Sequence, residues 1–135
     1  SPNLDSVTYT GSESMLMQAW INLLDNAIKF TPVGGSISVE LRADVDNAVV
    51  DIIDSGCGMD EETLHHMFEK FYQGNRARSS EGNGLGLSMV QRIVALEGGK
   101  IFAESSLGVG TAFTVTLPLR RHDEPSQEVR KFRRK

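Results

Sequence analysis

The fold is decided by one stretch near the start of the chain, Glu13-Ser-Met-Leu-Met-Gln-Ala-Trp-Ile-Asn22-Leu-Leu-Asp-Asn26-Ala-Ile-Lys29-Phe30. Ser12 or Ser14 can cap a helix here and Thr31-Pro32 can end it, so the sequence predicts a helix over 13–30. Its apolar residues recur at helical spacing and form a core-facing side: Leu16, Ala19, Trp20, Leu23, Ala27 and Phe30. The other side is a polar stripe: Gln18, Asn22, Asp25, Asn26 and Lys29.

Four strands are predicted on the C-terminal side of this helix. The first follows a turn at 33–35, and its apolar side alternates with polar residues as in a half-buried strand: Ile37, Val39 and Leu41. A turn at Asp46-Asn47 leads into a second strand over 48–53. Similar patterns predict a third strand over 100–104 and a fourth over 112–117, which Pro118 ends.

Two further helices are predicted between these strands. A short helix is predicted to begin at Asp60, because the helix dipole favours acidic residues in the first turn. A longer helix over 85–97 has an apolar side that includes Met89 and ends at Gly98-Gly99. Three helices and a mixed, mostly antiparallel sheet predict an α/β fold, a two-layer α/β sandwich.

Length and composition are those of one globular domain. The chain has 135 residues, of which 39% are hydrophobic and 24% charged. No apolar run approaches the roughly 20 residues that cross a bilayer. Cys57 is the single cysteine, and the chain opens without a methionine or a signal peptide. We therefore expect a cytoplasmic domain cut from a longer protein, and the sequence leaves the membrane anchoring of that parent open.

Charge divides the chain into an acidic body and a basic tail. Residues 120–135 hold seven Lys/Arg and three Asp/Glu, a net of +4, and residues 1–119 hold seven against fifteen, a net of −8. We expect a domain over 1–119 that binds no nucleic acid, because duplex binding depends on phosphate neutralisation. The tail over 120–135 is predicted to be a solvated extension, with an interaction arm as the alternative.

The polar stripe is the first candidate for chemistry. Asn22 and Asn26 lie one turn apart, and Lys29 follows on the same side. Amide oxygens and an ammonium group suit hydrated magnesium and phosphate oxygens. An ordinary solvated helix face is the alternative.

The second candidate is Asp54-Ser-Gly-Cys-Gly-Met59, which directly follows an apolar strand. Glycines let a flat ligand approach the backbone, and the Asp54 carboxylate can accept a hydrogen bond from the exocyclic amine of adenine. The alternative is a strand-to-helix turn with an Asx-type hydrogen bond. We expect Cys57 to be a small packing residue rather than a nucleophile.

The third candidate is Gly82-Asn-Gly-Leu-Gly-Leu87, where a loop enters a helix whose N-terminal N–H groups can bind phosphate. Its spacing matches neither a Walker nor a Rossmann motif. The loop over 74–84 is a candidate mobile lid, and its Arg76 and Arg78 can reach phosphates. The fourth candidate motif, Gly108-Val-Gly-Thr111, predicts a hairpin turn.

Together these motifs resemble, in their order, the catalytic ATP-binding domain of bacterial sensor histidine kinases, in the superfamily of gyrase B, heat-shock protein 90 and MutL. The resemblance covers residues 7–118. It matches five sequence boxes: the N box at 22–30, a glycine box at 54–59, the phenylalanine box at 68–72, a second glycine box at 82–87 and a last one at 108–111.

The resemblance implies a Bergerat fold with ATP and Mg²⁺ as cofactors. Asn26 would bind the metal, Asn22 would support metal and phosphates, and Asp54 would bind the adenine amine. Catalysis would rest on Asn22, Lys29, Arg76 and Arg78. The remaining nucleotide-binding residues would be Phe30, Gly56, Gly58, Phe71, Gly84, Leu85, Gly86, Leu87 and Thr111.

The resemblance also implies partners. The γ-phosphoryl group would go to a histidine on a helical dimerisation hairpin of the same parent, which would be a homodimer, and then to a response regulator. No acceptor motif occurs in this chain, and His65 and His66 are expected to be partly exposed helix residues. The alternatives are an anti-sigma-factor serine kinase and a non-catalytic nucleotide-binding module.

Overall fold

The structure is a computed structural model that describes residues 8–70, 86–119 and 131–133. Its helices are α1 (Glu13–Phe30), α2 (Glu61–His66) and α3 (Gly86–Leu96). Its strands are β1 (Thr8–Thr10), β2 (Ile37–Ala43), β3 (Asn47–Asp54), β4 (Lys100–Ser106), β5 (Gly110–Pro118) and β6 (Lys131–Arg133). None of the helices in these ranges is both long and apolar enough to cross a membrane.

Four strands form one sheet in the order β2-β3-β5-β4. All three pairs are antiparallel, and the register places Asp54 between Ile37 of β2 and Thr111 of β5. On β5, Phe113, Val115 and Leu117 are buried and alternate with half-buried neighbours. The predicted α/β sandwich is confirmed, because the helices pack on the side of the sheet to which these buried residues point.

α1 and α3 lie side by side and run antiparallel over the sheet. The Ser12 N–H donates to Glu97 Oε2 at 3.4 Å, and Asn22 Nδ2 donates to the Gly86 carbonyl at 3.4 Å. Both intervals, from Ser12 to Asn22 and from Gly86 to Glu97, span roughly 15–17 Å of helix. The two bonds therefore hold both ends of α3 against the first three turns of α1. Between them, the helices bury core residues against the sheet: Leu16, Ala19, Leu23, Ala27, Val90, Ile93 and Val94.

The predicted helix limits follow from local chemistry. Ser12 is the N-cap of α1, where its hydroxyl accepts the Met15 N–H at 3.4 Å, and the helix ends at Phe30 as expected. Asp60 caps α2 in the same way by accepting the Thr63 N–H at 2.8 Å. Gly98, with φ of +83°, follows the end of α3, as the glycine pair predicts.

Two burial predictions are wrong. β2 is mostly exposed, with Ile37 at 36% and Val39 at 49% exposure, because it is the edge strand and α1 packs on β3 instead. Met89 is 43% exposed, since it lies on the side of α3 that faces Asn22 rather than the core.

The basic tail takes part in a second, two-stranded sheet. β6 pairs antiparallel with β1, and Thr8 lies opposite Arg133. Three residues of the predicted tail are therefore paired through the backbone with the other end of the chain. The division into a domain over 1–119 and a tail over 120–135 stays a prediction.

A polar ladder crosses the side of the sheet that faces away from the helices. Asp51 Oδ1 accepts the Thr114 hydroxyl at 2.6 Å, and Arg42 Nη2 donates to Asp51 Oδ2 at 2.7 Å. Burial raises the pKa of the Asp51 carboxyl, but the bonds from Thr114 and Arg42 lower it, and the net pKa lies below its ordinary value of 3.8.

Because the folded-state pKa of Asp51 is depressed, its ionised carboxylate stabilises the fold at pH above about 4, and this stabilisation is lost as the pH falls through the folded-state pKa. We expect Asp51→Asn to lower the free energy of unfolding by about 1 kcal/mol at pH 7. The difference from wild type should shrink as the pH falls below about 4. Urea denaturation from pH 3 to 7 measures this, with the exposed Glu104→Gln as the control, and a difference that does not change with pH would contradict it.

Candidate functional site

The loop that follows β3 holds a buried carboxylate with one oxygen left open. Asp54 is 6% exposed, and its Oδ1 accepts the Gly56 N–H at 2.8 Å, which is the Asx-type bond of a tight turn. Within the described residues no donor binds Asp54 Oδ2. The carboxylate is thus fixed in orientation by its own loop and keeps an acceptor for a further hydrogen bond.

Two glycines let this loop lie in direct backbone contact with its neighbours. A Cβ at Gly56 would overlap the Phe30 carbonyl at the end of α1, and a Cβ at Gly58 would overlap the Ser106 carbonyl. Gly58 also has a φ of +74°, a conformation that side chains disfavour. The loop is therefore held between α1 and the turn that joins β4 to β5.

Cys57 joins the same contacts through its backbone. Its N–H donates to the Phe30 carbonyl at 3.2 Å, and its carbonyl accepts the Gly108 N–H at 2.8 Å. The side chain is exposed, so the expectation that Cys57 is a packing residue is wrong. The reason is that the packing in this loop is made by backbone atoms.

The hairpin predicted at 108–111 is confirmed, and its turn residues are 107–109, between β4 and β5. Hydrogen bonds at Ser105 join the two strands beside this turn. The Val109 N–H donates to the Ser106 carbonyl at 3.0 Å. The Ser105 hydroxyl accepts the Met59 N–H at 2.7 Å and lies 2.8 Å from the hydroxyl of the buried Thr111. The sequence patterns do not identify Ser105. Its role in joining the loop to the hairpin follows from the β4–β5 register, which places it opposite Thr111.

Asn22 connects the polar stripe of α1 to α3. Asn22 is half-buried, and its Oδ1 accepts Gln18 Nε2 at 3.1 Å while its Nδ2 reaches the Gly86 carbonyl and Met89 Sδ. Asn26 is half-buried, and its amide makes no hydrogen bond to other described residues. Lys29 is exposed in the last turn. The sequence patterns place Gln18 in the stripe and Met89 on an apolar helix side, but they do not predict the contacts of these residues with Asn22.

The structure brings together part of the expected nucleotide site. The loop at 54–58 meets α1 at Phe30, the turn at 108–111 meets that loop, and Asn22 meets the start of α3 at Gly86. Leu87 packs against the core, and a Cβ at Gly86 would meet no described atom within 4 Å. The candidate lid at 74–84 and five predicted site residues lie outside the described residues: Phe71, Arg76, Arg78, Gly84 and Leu85.

The two helix histidines are located as expected. His65 is exposed, His66 is half-buried, and His66 Nδ1 lies 2.7 Å from Glu69 Oε2. No three His, Cys, Asp or Glu side chains in the described ranges come together as a metal site. A metal at the stripe would therefore bind to amide and ligand oxygens, which is the chemistry of partly hydrated Mg²⁺. An open carboxylate oxygen, a glycine cradle and the Asn26 amide fit a magnesium-bound nucleotide.

Comparison with known proteins agrees with this geometry. Residues 11–121 match the family described as histidine kinase-, DNA gyrase B-, and HSP90-like ATPase. The sensor histidine kinase RppB of Synechocystis is 39% identical over 111 residues, which are 81% of this chain and 24% of RppB. The kinase BaeS of Escherichia coli is 38% identical over 119 residues, which are 87% of this chain and 26% of BaeS. The solved mycobacterial sensor histidine kinase MprB has a TM-score of 0.74 at 37% identity and covers 82% of this chain and 76% of its own.

The chain belongs to this family of ATPases. Within the family it is an ATP-binding catalytic domain of the sensor histidine kinase type. It spans about a quarter of the length of the two curated relatives.

The glycine contacts can be tested by a matched pair of substitutions. We expect Gly58→Ala to lower the free energy of unfolding by at least about 2 kcal/mol, because the new methyl group meets a carbonyl in a left-handed conformation. Gly86→Ala adds the same methyl group at the start of a helix with space around it, and should not lower stability. Thermal and urea unfolding measure both variants, and equal losses would contradict the packing described here.

Proposed function

We propose that this domain binds Mg²⁺-ATP between α1 and the start of α3 and donates the γ-phosphoryl group to a histidine on a helical dimerisation hairpin of the same parent protein. The phosphoryl group then passes to an aspartate of a response regulator. The observation that carries the proposal is the buried Asp54, held by Gly56 with one oxygen open, beside the end of a helix that carries Asn22, Asn26 and Lys29.

Asp54 selects the base in this proposal. Its open oxygen accepts a hydrogen bond from an exocyclic amine, and guanine offers a carbonyl at the equivalent position, which a carboxylate repels. Gly56 and Gly58 let the loop that carries this carboxylate lie against Phe30 and Ser106. Phe30 packs near the base. Thr111, bound to Ser105, holds the neighbouring turn in position.

The phosphates lie toward the stripe and the start of α3. Bound Mg²⁺ supplies neutralisation of the charge on the transferring phosphoryl group. Asn26 offers its amide oxygen to the metal, Asn22 supports the metal and phosphates, and Lys29 brings an ammonium charge from the last turn of α1. The N–H groups at Gly86 and Leu87 point to the phosphates from the start of α3.

Residues outside the described ranges complete the site. By the family resemblance, Gly84 and Leu85 would leave room for the phosphates, Phe71 would anchor the candidate lid, and Arg76 or Arg78 would contact the phosphates. In this proposal the domain works on the cytoplasmic side of the cell, and the hairpin that receives the phosphoryl group also joins the parent into a homodimer. Relatives whose names describe sensor or signal-transduction kinases, among them RppB, BaeS and the adaptive-response sensory kinase SasA of Synechococcus elongatus, support a sensing parent.

The base assignment is tested by Asp54→Ala. Loss of a charged acceptor should weaken ATP affinity by about 1.5–3 kcal/mol, or roughly 10- to 150-fold, in calorimetry. Preference for ATP over GTP should disappear in the same variant. Asp51→Asn is the matched control, because Asp51 lies on the same strand but on the opposite side of the sheet, and it should bind ATP as the wild type does. Unchanged ATP affinity in Asp54→Ala would contradict the assignment.

The transfer reaction is tested with radiolabelled ATP. We expect the domain alone to bind ATP without forming phosphohistidine, and the parent's helical hairpin, added separately, to become labelled weakly because the tether is lost. Asn26→Ala should abolish labelling by removing a metal ligand, whereas His65→Ala and His66→Ala should leave it nearly unchanged.

The chemistry of the label separates the alternatives. Acid-labile phosphate on the hairpin supports a histidine kinase, and acid-stable phosphate on a serine would indicate the serine kinase. ATP binding with no labelling of the hairpin would indicate a non-catalytic module. Label on this domain that is lost in either histidine variant would show that His65 or His66 is the acceptor.

A further inference from the structure

A groove of about 700 Å³ lies between α3 and β4, at the edge of the sheet opposite to β2. Arg92 of α3 lies in one wall, and Gly99, Lys100 and Ile101 lie in the wall formed by β4 and the residue before it. Phe68 and Lys70, from the segment after α2, complete the lining named here. Phe68 and Lys70 lie in the phenylalanine box, and none of the lining residues is among the predicted nucleotide-binding residues.

The strand wall is a free sheet edge. Within the described part of the chain, β4 pairs with β5 alone, so its other side presents backbone N–H and C=O groups without strand partners. Four consecutive residues, 99–102, line the groove. An edge strand beside a helix is the geometry in which an extended peptide adds to a sheet as a further strand.

The rim of the groove is basic. Lys70, Arg92 and Lys100 are exposed, and no acidic residue is among the lining residues. None of the three cations forms an ion pair with a described carboxylate. This contrasts with the net charge of −8 over residues 1–119. A positive groove on an acidic body attracts an acidic ligand and repels basic ones.

The floor of the groove is apolar. Val94 is buried, Ile101 is half-buried, and Phe68 packs edge-to-face on Phe113 with 6.4 Å between ring centroids. Successive side chains of a strand point to opposite sides, so a bound strand can place alternate apolar residues on this floor and acidic residues at the rim.

We propose that this groove is a docking site for an extended acidic segment of a partner protein, which adds to the edge of β4 as a fifth strand. Backbone hydrogen bonds to β4 supply the alignment, and Lys70, Arg92 and Lys100 supply the selectivity for negative charge.

A fluorescent peptide that alternates glutamate and valine is the probe, and the same peptide with lysine in place of glutamate is its control. Fluorescence anisotropy should show binding of the acidic peptide only, with affinity that falls as salt is added. Arg92→Gln with Lys100→Gln should weaken binding about tenfold, and Arg42→Gln, a cation on the opposite edge strand, should not. ATP binding by each variant checks that the fold is retained.

Hydrogen exchange distinguishes strand addition from other modes of binding. With the acidic peptide bound, amide exchange should slow at alternate residues of β4 and stay unchanged in β2. The proposal is overturned if the lysine peptide binds equally well, if β4 exchange does not slow, or if a short DNA duplex displaces the peptide. Slowed exchange in β4 that is lost in the double variant supports it.

Discussion

The close backbone contact between the loop at 54–58 and the end of α1 is the constraint on which the site depends. It exists because Gly56 has no side chain, which allows the Cys57 N–H to reach the Phe30 carbonyl. Gly58 and Gly110 allow two equivalent approaches, to Ser106 and to the backbone of Asp54. Without them, the carboxylate of Asp54 would lie at a different distance from the polar stripe of α1.

The helices impose the second constraint. α1 supplies amides and an ammonium group, and the first turn of α3 supplies backbone N–H groups, so their relative position determines what can bind between them. The bonds at Ser12–Glu97 and Asn22–Gly86 fix that position at two points about three helical turns apart. Glu97 is 9% exposed, which protects its hydrogen bond from competing water.

Most of the fold could be predicted from the sequence because its signals are local. Helical spacing and caps predict α1, alternation predicts β5, and glycine pairs predict turns. The exposure of β2 and Met89 could not be predicted. A pattern of apolar residues does not show which strand lies at an edge of the sheet or which side of a helix faces its neighbour. The residues of the site were found from motif order, but Ser105 and the contacts of Asn22 depend on register and helix packing, which are long-range properties.

The pairing of the strands divides the chain into two halves that meet along a seam. The hairpin β2-β3 with α1 belongs to residues before 71, and the hairpin β4-β5 with α3 belongs to residues after 85. Each layer is joined across this seam, by β3 with β5, by α1 with α3 and by β1 with β6. Each hairpin closes a short loop, whereas joining the halves closes a long one and is the slower step of assembly. Asp54 and Thr111 face each other on the seam, so a ligand held there bridges both halves and opposes their separation.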